Sequence, residues 1–314
     1  MKLGFLYAGQ GSQHAGMGRD LYETYPAFRE AFDSAEPGFD MKSVCFDDLD
    51  GLLGQTRYTQ PCMVAFAAGL TAVLRERGMV PDVAAGLSLG EYSALHAAGV
   101  FDAKTAIELA AFRGDAMERA ALGVKSAMIA VMGLDRAALA HACEQASCEG
   151  VVVIANYNCP GQLVIGGERA AVERAAQLAR EADARRCVPL AVSGPFHTPL
   201  MAPAGDALAR RFADLPFQRM RIPVIFNCVG DVLPQGESVQ SMLVRQVQSS
   251  VCMEDSIRRM TQMGVDAMVE IGPGRVLSGF ARRIAPQVPV FPVETVQDVE
   301  TLAQKLCGVQ NGGG

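Results

Sequence analysis

A chain of 314 residues, half of them hydrophobic, holds enough apolar material for a large core plus a smaller second unit. Its formal charge of −6 argues against general nucleic-acid binding, which shows a basic excess or stripe, so an acidic partner has to find a local basic patch. The longest apolar run, 63–74, falls short of the roughly 20 residues a spanning helix needs, and the few apolar residues after Lys2 form no signal-peptide core, so neither a membrane segment nor secretion is expected.

A strand over 3–7 is followed by a Gly-rich turn, a helix after Gly18, a helix over 60–77, a strand over 83–87 and helices through Arg119. That alternation is the order of a layered α/β domain with a mainly parallel sheet. The middle of the chain changes character: strand 126–132, helix 135–144, strands 151–156 and 162–166 separated by the turn NYNCPG, helix 168–182 and strand 187–192. This β-α-β-β-α-β order is ferredoxin-like and reads as a subdomain over 125–191, inserted in a large domain formed by 1–124 and 192–308. An active site between the two is expected from where pockets usually lie. Beyond the insertion, RIPVIFN (221–227) and DAMVEIGPG (266–274) supply two more buried strands, and a helix follows over 275–284. The loops 55–59 and 231–238 are the expected mobile ones, and 309–314, ending NGGG, reads as a flexible tail. The nine cysteines are scattered, odd in number and without a C-x-x-C, a pattern of buried free thiols in a reducing cytoplasm rather than of disulfides or a metal site.

GLSLGEYSAL (86–95) places Ser88 in a G-x-S-x-G pattern between the 83–87 strand and a stretch in which Tyr92, Leu95 and His96 share one helix face. In that context the serine sits on a strained strand-to-helix turn with its hydroxyl exposed, and Gly86 and Gly90 remove Cβ atoms that would crowd the turn. The same pattern arises by chance in a chain with 32 glycines, so the motif alone leaves an ordinary turn serine as the alternative. A serine nucleophile needs a general base, and there are four histidines. His14 lies in a Gly-rich loop, His96 eight residues past Ser88 and His141 on a helix of the insertion; the last two read as solvent-exposed or structurally satisfied. His197, in VSGPFHTPLM (192–201) where the insertion ends, is flanked by Pro195 and Pro199 and is the candidate base. No histidine follows it, which departs from the Ser, acid, His order of α/β-hydrolases. YAGQGSQHAGMG (7–18) fails G-x-G-x-x-G, and no Walker-type motif exists. A Gly-rich turn beyond a strand end can aim a backbone N–H at a developing oxyanion, which pairs Gln10 with Leu89; a turn rich in glycine for steric reasons alone is the alternative.

Taken together, AGQGSQHAGMG (8–18), YTQP (58–61), GLSLGEYSAL, FRGDAM (112–117), NYNCPGQLVIGG (156–167), PFHTPLM (195–201), LVRQV (243–247) and EIGPGRVLSG (270–279) resemble the malonyl-CoA:acyl carrier protein transacylases of bacterial fatty-acid synthesis. The resemblance spans nearly the whole chain. It implies an α/β-hydrolase-like large domain with a parallel sheet and an inserted ferredoxin-like small domain. It implies ping-pong transfer of malonyl from malonyl-CoA to the phosphopantetheine thiol of acyl carrier protein, with Ser88 as nucleophile, His197 as base and acid, and Gln10 and Leu89 as oxyanion donors. The main-chain carbonyl of Gln246 matches the group that orients the histidine, and Arg113 the arginine that pairs with the malonyl carboxylate. Phe196 resembles the bulky residue beside the histidine in members that favour malonyl over methylmalonyl. No permanently bound cofactor and no metal are implied. The partners are malonyl-CoA and, transiently, an acidic carrier protein, for which Arg185, Arg186, Arg282 and Arg283 are docking candidates against the alternative of an ordinary solvated surface. Two departures stand out: Leu87 where many members have histidine, and SSVCMEDSI (249–257) where many have a tryptophan-containing stretch. An acyltransferase for another extender unit, a thioester hydrolase and a non-catalytic carrier-binding homologue stay open at this level.

Overall fold

The run LGFLY buries every residue and forms β1 (Leu3–Tyr7), as a strand covered on both faces requires. The computed structural model describes residues 1–311, with side chains to Leu306. From β1 the chain passes through α1 (Arg19–Thr24), α2 (Pro26–Phe32) and the long α3 (Thr56–Glu76) to β2 (Val83–Gly86), α4 (Gly90–Ala97) and α5 (Ala103–Ala121). It continues with β3 (Ser126–Met132), α6 (Arg136–Ala146), β4 (Val152–Cys159), β5 (Gln162–Glu168), α7 (Arg169–Glu181) and β6 (Arg186–Pro189). The last third holds α8 (Ala202–Phe212), β7 (Val224–Ile225), α9 (Val239–Gln246), α10 (Met253–Gln262), β8 (Ala267–Ile271), α11 (Val276–Ile284), β9 (Val290–Val293) and α12 (Val296–Asn311). The chain forms two units: the first comprises Met1–Ala111, Gln218–Val224 and the chain from Met260 onward, the second Phe112–Phe217 and Ile225–Arg259.

The first unit is built on a five-stranded sheet of order β7-β2-β1-β8-β9. β1 runs parallel to both β2 and β8, and β8 is parallel to β9. Parallel neighbours need crossovers, which the intervening helices supply. Glu270 of β8 is buried and serves this layer: its two carboxylate oxygens accept the N–H groups of Leu277 (2.8 Å) and Ser278 (2.7 Å) in the first turn of α11. It thereby satisfies donors that a helix start leaves without intrahelical acceptors. Burial raises its carboxyl pKa, and the hydrogen bonds oppose that rise.

The second unit carries a four-stranded antiparallel sheet of order β4-β5-β3-β6. Two helices pack on it. In α7 the residues Ala171, Val172, Ala175, Ala176 and Ala179 are buried at three- and four-residue spacing while the arginines and glutamates face out. They join Val131, Leu139 and Ile165 in one cluster. Asp135 caps α6 by accepting the Ala138 N–H at 2.8 Å. The protein is thus an α/β fold with one parallel and one antiparallel sheet.

Several elements differ from the sequence reading. Residues 56–59, expected as part of a mobile loop, are the first turn of α3; Thr56 and Thr59 are buried, and the Thr59 hydroxyl donates to Leu53 O (2.6 Å). Pro61 therefore lies inside the helix, one turn past its start, rather than at its first positions. β6 ends at Pro189 instead of 192: the Leu190 N–H still reaches Met128 O (2.9 Å), after which the Val192 N–H turns back to Leu190 O (3.0 Å). α8, α9, α10, β9 and α12 had no sequence counterpart; in β9, Pro289 and Pro292 punctuate the strand. α12 runs to Asn311, and the rest of the tail expected over 309–314 lies outside the described residues.

Candidate active site

Ser88 follows β2 by two residues and adopts φ +52°, a left-handed conformation that a non-glycine residue enters at a cost of about 1–2 kcal/mol. The surroundings over-determine it. The Leu87 N–H donates to Tyr7 O (3.0 Å), carrying the strand pairing one residue past β2, and the Glu91 N–H already donates to Ser88 O (3.1 Å) in the first turn of the helix. A Cβ on Gly86 would lie 1.9 Å from the Gly90 carbonyl carbon, and one on Gly90 would lie 2.2 Å from Tyr7 O. The two flanking glycines thus let strand and helix approach at backbone distance, and the serine is left half-buried at the head of α4.

The Gly-rich turn after β1 presses on this elbow, since a Cβ on Gly9 would lie 2.4 Å from Leu87 O. The next residue, Gln10, is anchored by its side chain, which donates to Thr56 Oγ1 (2.9 Å) and accepts from Gln60 (3.5 Å). The backbone N–H groups of Gln10 and Leu89 donate to no protein acceptor among the described residues. His14, in the same turn, bonds the Glu294 carboxylate, which also accepts the Gly274 N–H (2.9 Å).

In the second unit His197 sits at φ +61° and is 4% exposed. Its loop is closed by Thr198 Oγ1 donating to Pro195 O (2.7 Å) and by the Phe196 N–H donating to Gly194 O (2.9 Å). His197 Nδ1 lies 3.0 Å from the main-chain oxygen of Gln246, the last residue of α9. A carbonyl only accepts, so Nδ1 carries the proton and Nε2 is the acceptor nitrogen of the neutral ring. Burial first, and the Arg113 charge second, push the imidazole down to about 4, against the backbone bonds to Gln246 and Ser249. Arg113, on α5, is 1% exposed and donates through Nη2 to the side-chain oxygen of Gln246 (2.9 Å). Gln246 itself is fully buried.

The other histidines have local roles. His96 is half-buried with Nδ1 on Phe101 O (3.1 Å), and burial lowers its pKa; His141 is exposed beside Gln145 and Glu144. Phe196 is buried next to His197. Arg185 and Arg186 are exposed at the start of β6 in the second unit, and Arg282 and Arg283 are exposed in the last turn of α11 in the first. A cavity of 830 Å³ between α8 and α9, lined by Phe212, Val244, Gln248 and Ser249 among others, includes none of the candidate residues. Two contributions escaped the sequence reading. The Gln246 side chain was assigned nothing, because an amide 133 residues from Arg113 carries no local signal. Thr56 escaped because 55–59 reads as loop; Gln60 stands in YTQP at the start of the expected helix, where nothing local shows that it bonds Gln10.

A family model described as the acyl transferase domain matches residues 4–301. The malonyl CoA-acyl carrier protein transacylase of Bacillus subtilis (strain 168) is 38% identical over 308 residues, 97% of each chain. A crystal structure of the malonyl CoA-acyl carrier protein transacylase from Clostridium perfringens superimposes with a TM-score of 0.95 at 35% identity, covering 99% of this chain and 98% of that one. A type II PKS acyl-carrier protein in complex with its malonyl-transacylase matches with a TM-score of 0.93 at 36% identity, over 97% of this chain and 100% of the other. The chain belongs to the acyl transferase family, and the relatives it resembles there are malonyl CoA-acyl carrier protein transacylases.

Proposed function

We propose that this protein transfers a malonyl group from malonyl-CoA to the phosphopantetheine thiol of an acyl carrier protein, through a malonyl-Ser88 intermediate, in cytoplasmic fatty-acid synthesis. The scaffold in this reading is an α/β-hydrolase-like large domain (1–124 and 192–308) with a ferredoxin-like insertion (125–191). His197 Nε2 takes the Ser88 proton as Oγ attacks the thioester carbonyl, and the N–H groups of Gln10 and Leu89 hold the tetrahedral oxyanion. The C–S bond then breaks, and the imidazolium returns its proton to the departing thiolate of coenzyme A. The carrier thiol enters, His197 takes its proton, the sulfur attacks the malonyl ester, and Ser88 leaves with that proton.

The observation that carries this reading is the buried arginine held beside the histidine: Arg113, 1% exposed, shares Gln246 with His197. A guanidinium in that position suits a free carboxylate on the acyl group, which it can grip through two parallel hydrogen bonds, and an uncharged acyl group forms no such pair. Phe196 would limit bulk at the acyl α-carbon. Arg185, Arg186, Arg282 and Arg283 would raise the on-rate for an acidic carrier protein. The test is incubation with malonyl-CoA, detection by intact mass of a malonyl adduct on Ser88, and addition of carrier protein. Passage of the adduct to the carrier thiol supports the transferase; loss to water identifies a thioester hydrolase, and absence of an adduct a non-catalytic binding protein.

A further inference from the structure

One residue holds two buried cationic or titratable side chains of the second unit, Arg113 and His197. The amide oxygen of Gln246 accepts from Arg113 Nη2 at 2.9 Å, and its main-chain oxygen lies 3.0 Å from His197 Nδ1. Any residue offers the second acceptor; only a side chain of this length and kind offers the first. Gln246 is fully buried at the C-terminal end of α9, so a displacement of Arg113 toward a bound anion is transmitted through a single, tightly packed residue to the imidazole.

Resting on the reading of Arg113 as the carboxylate-binding group, we propose that Gln246 is a positioning residue that couples acyl selection to the base: it makes the proton-accepting strength of His197 respond to whether Arg113 carries a carboxylate. A neutral amide is suited to this, because it orients the guanidinium without cancelling its charge, as a glutamate would. With the site free, the Arg113 charge works together with burial to keep the imidazole weakly basic. A malonyl carboxylate on Arg113 offsets the positive field, and His197 accepts the Ser88 proton more readily in that complex. An acetyl group brings no charge and leaves the base weak. Discrimination then arises twice, once in binding and once in the chemical step.

The test is single-turnover acylation of Ser88 by malonyl-CoA and by acetyl-CoA across a pH series, with wild type, Gln246→Met (similar length, no acceptor) and Gln246→Glu (a charged acceptor). In wild type the acid limb with malonyl-CoA is expected at higher pH than with acetyl-CoA. Gln246→Met should bring the two limbs together and lower the malonyl-to-acetyl rate ratio about tenfold, the size expected for losing a buried hydrogen bond to a charged group. Gln246→Glu should place both limbs at the higher, malonyl-like position. Coincident limbs in wild type, or a Gln246→Met protein that slows both acyl groups equally while its limbs stay apart, overturn the coupling. Should Gln246→Met not fold, Gln246→Glu decides by the same criterion: limbs separated as in wild type overturn it. A wild-type protein that takes up no malonyl on Ser88 instead overturns the underlying reading, and does so before any variant is compared.

Discussion

The two halves of the candidate chemistry are held in place by different physics. Ser88 is positioned by backbone: glycines at 86 and 90, the strand pairing through Leu87, and a left-handed φ that the turn imposes. His197 also has a left-handed φ, but it is positioned by burial and by hydrogen bonds from residues far along the chain. A nucleophile needs exposure and a fixed direction, which a tight turn provides. A base needs a set tautomer and a tuned basicity, which only neighbouring groups provide.

The largest expected effects test the chemistry at each half. Ser88→Ala should abolish the acyl adduct, and His197→Ala should leave a folded protein whose transfer rate falls by about 10³-fold or more, read by intact mass and by stopped-time transfer assays. Comparable residual acylation in the two variants would break the assignment of separate roles. The backbone character of the elbow is tested next by Gly86→Ala. A methyl 1.9 Å from the Gly90 carbonyl carbon has nowhere to move, so denaturant unfolding should show a loss of more than about 3 kcal/mol.

Arg113→Ala comes third. It should lower malonyl acylation by about 10²-fold while acetyl acylation falls less, because the lost pair involves only the carboxylated group. Equal losses for both acyl groups would remove the carboxylate role. The pH dependence sharpens the same contrast. A general base works when neutral, so activity of the free enzyme should hold through neutral pH and be lost as pH falls through about 4, where His197 protonates. Because its folded-state pKa lies below the ordinary 6.5, the folded protein binds fewer protons than the unfolded chain between those values, and stability should decline as pH falls from 6.5 toward 4. Arg113→Ala should shift the acid limb of kcat/KM to higher pH, since it removes the second cause of the depression. The smallest effect is expected for Leu87→His. Leu87 is half-buried and its side chain packs toward Gly9, so acylation should change by less than about threefold and the pH profile should not move. A new titration in the profile would show that this position tunes the elbow electrostatically.

Legibility followed the range of the interactions. The elbow was readable because G-x-S-x-G places the serine and its two flanking glycines within five residues, and the β-α-β-β-α-β order of the second unit was readable because each strand and helix shows its own period. The start of α3 was not, since 55–59 lacks apolar periodicity and its helix is settled by buried hydroxyls, such as that of Thr59 on Leu53 O. β6 reads too long because Val192 has a strand-like side chain, while the hydrogen bonds to β3 end with the Leu190 N–H. The Gln246 amide was invisible because its partner lies 133 residues away.

By itself the sequence determined the alternation of elements, the glycine geometry around Ser88 and, through its motifs, the family resemblance, because these depend on residues close in the chain or on patterns that repeat within it. The tertiary structure alone decided that Arg113 and His197 meet at Gln246, that the ring is protonated on Nδ1, and that the imidazole is held near 4. Those properties come from desolvation and from the field of a charge brought near by folding, and neither quantity exists until the chain has buried its groups.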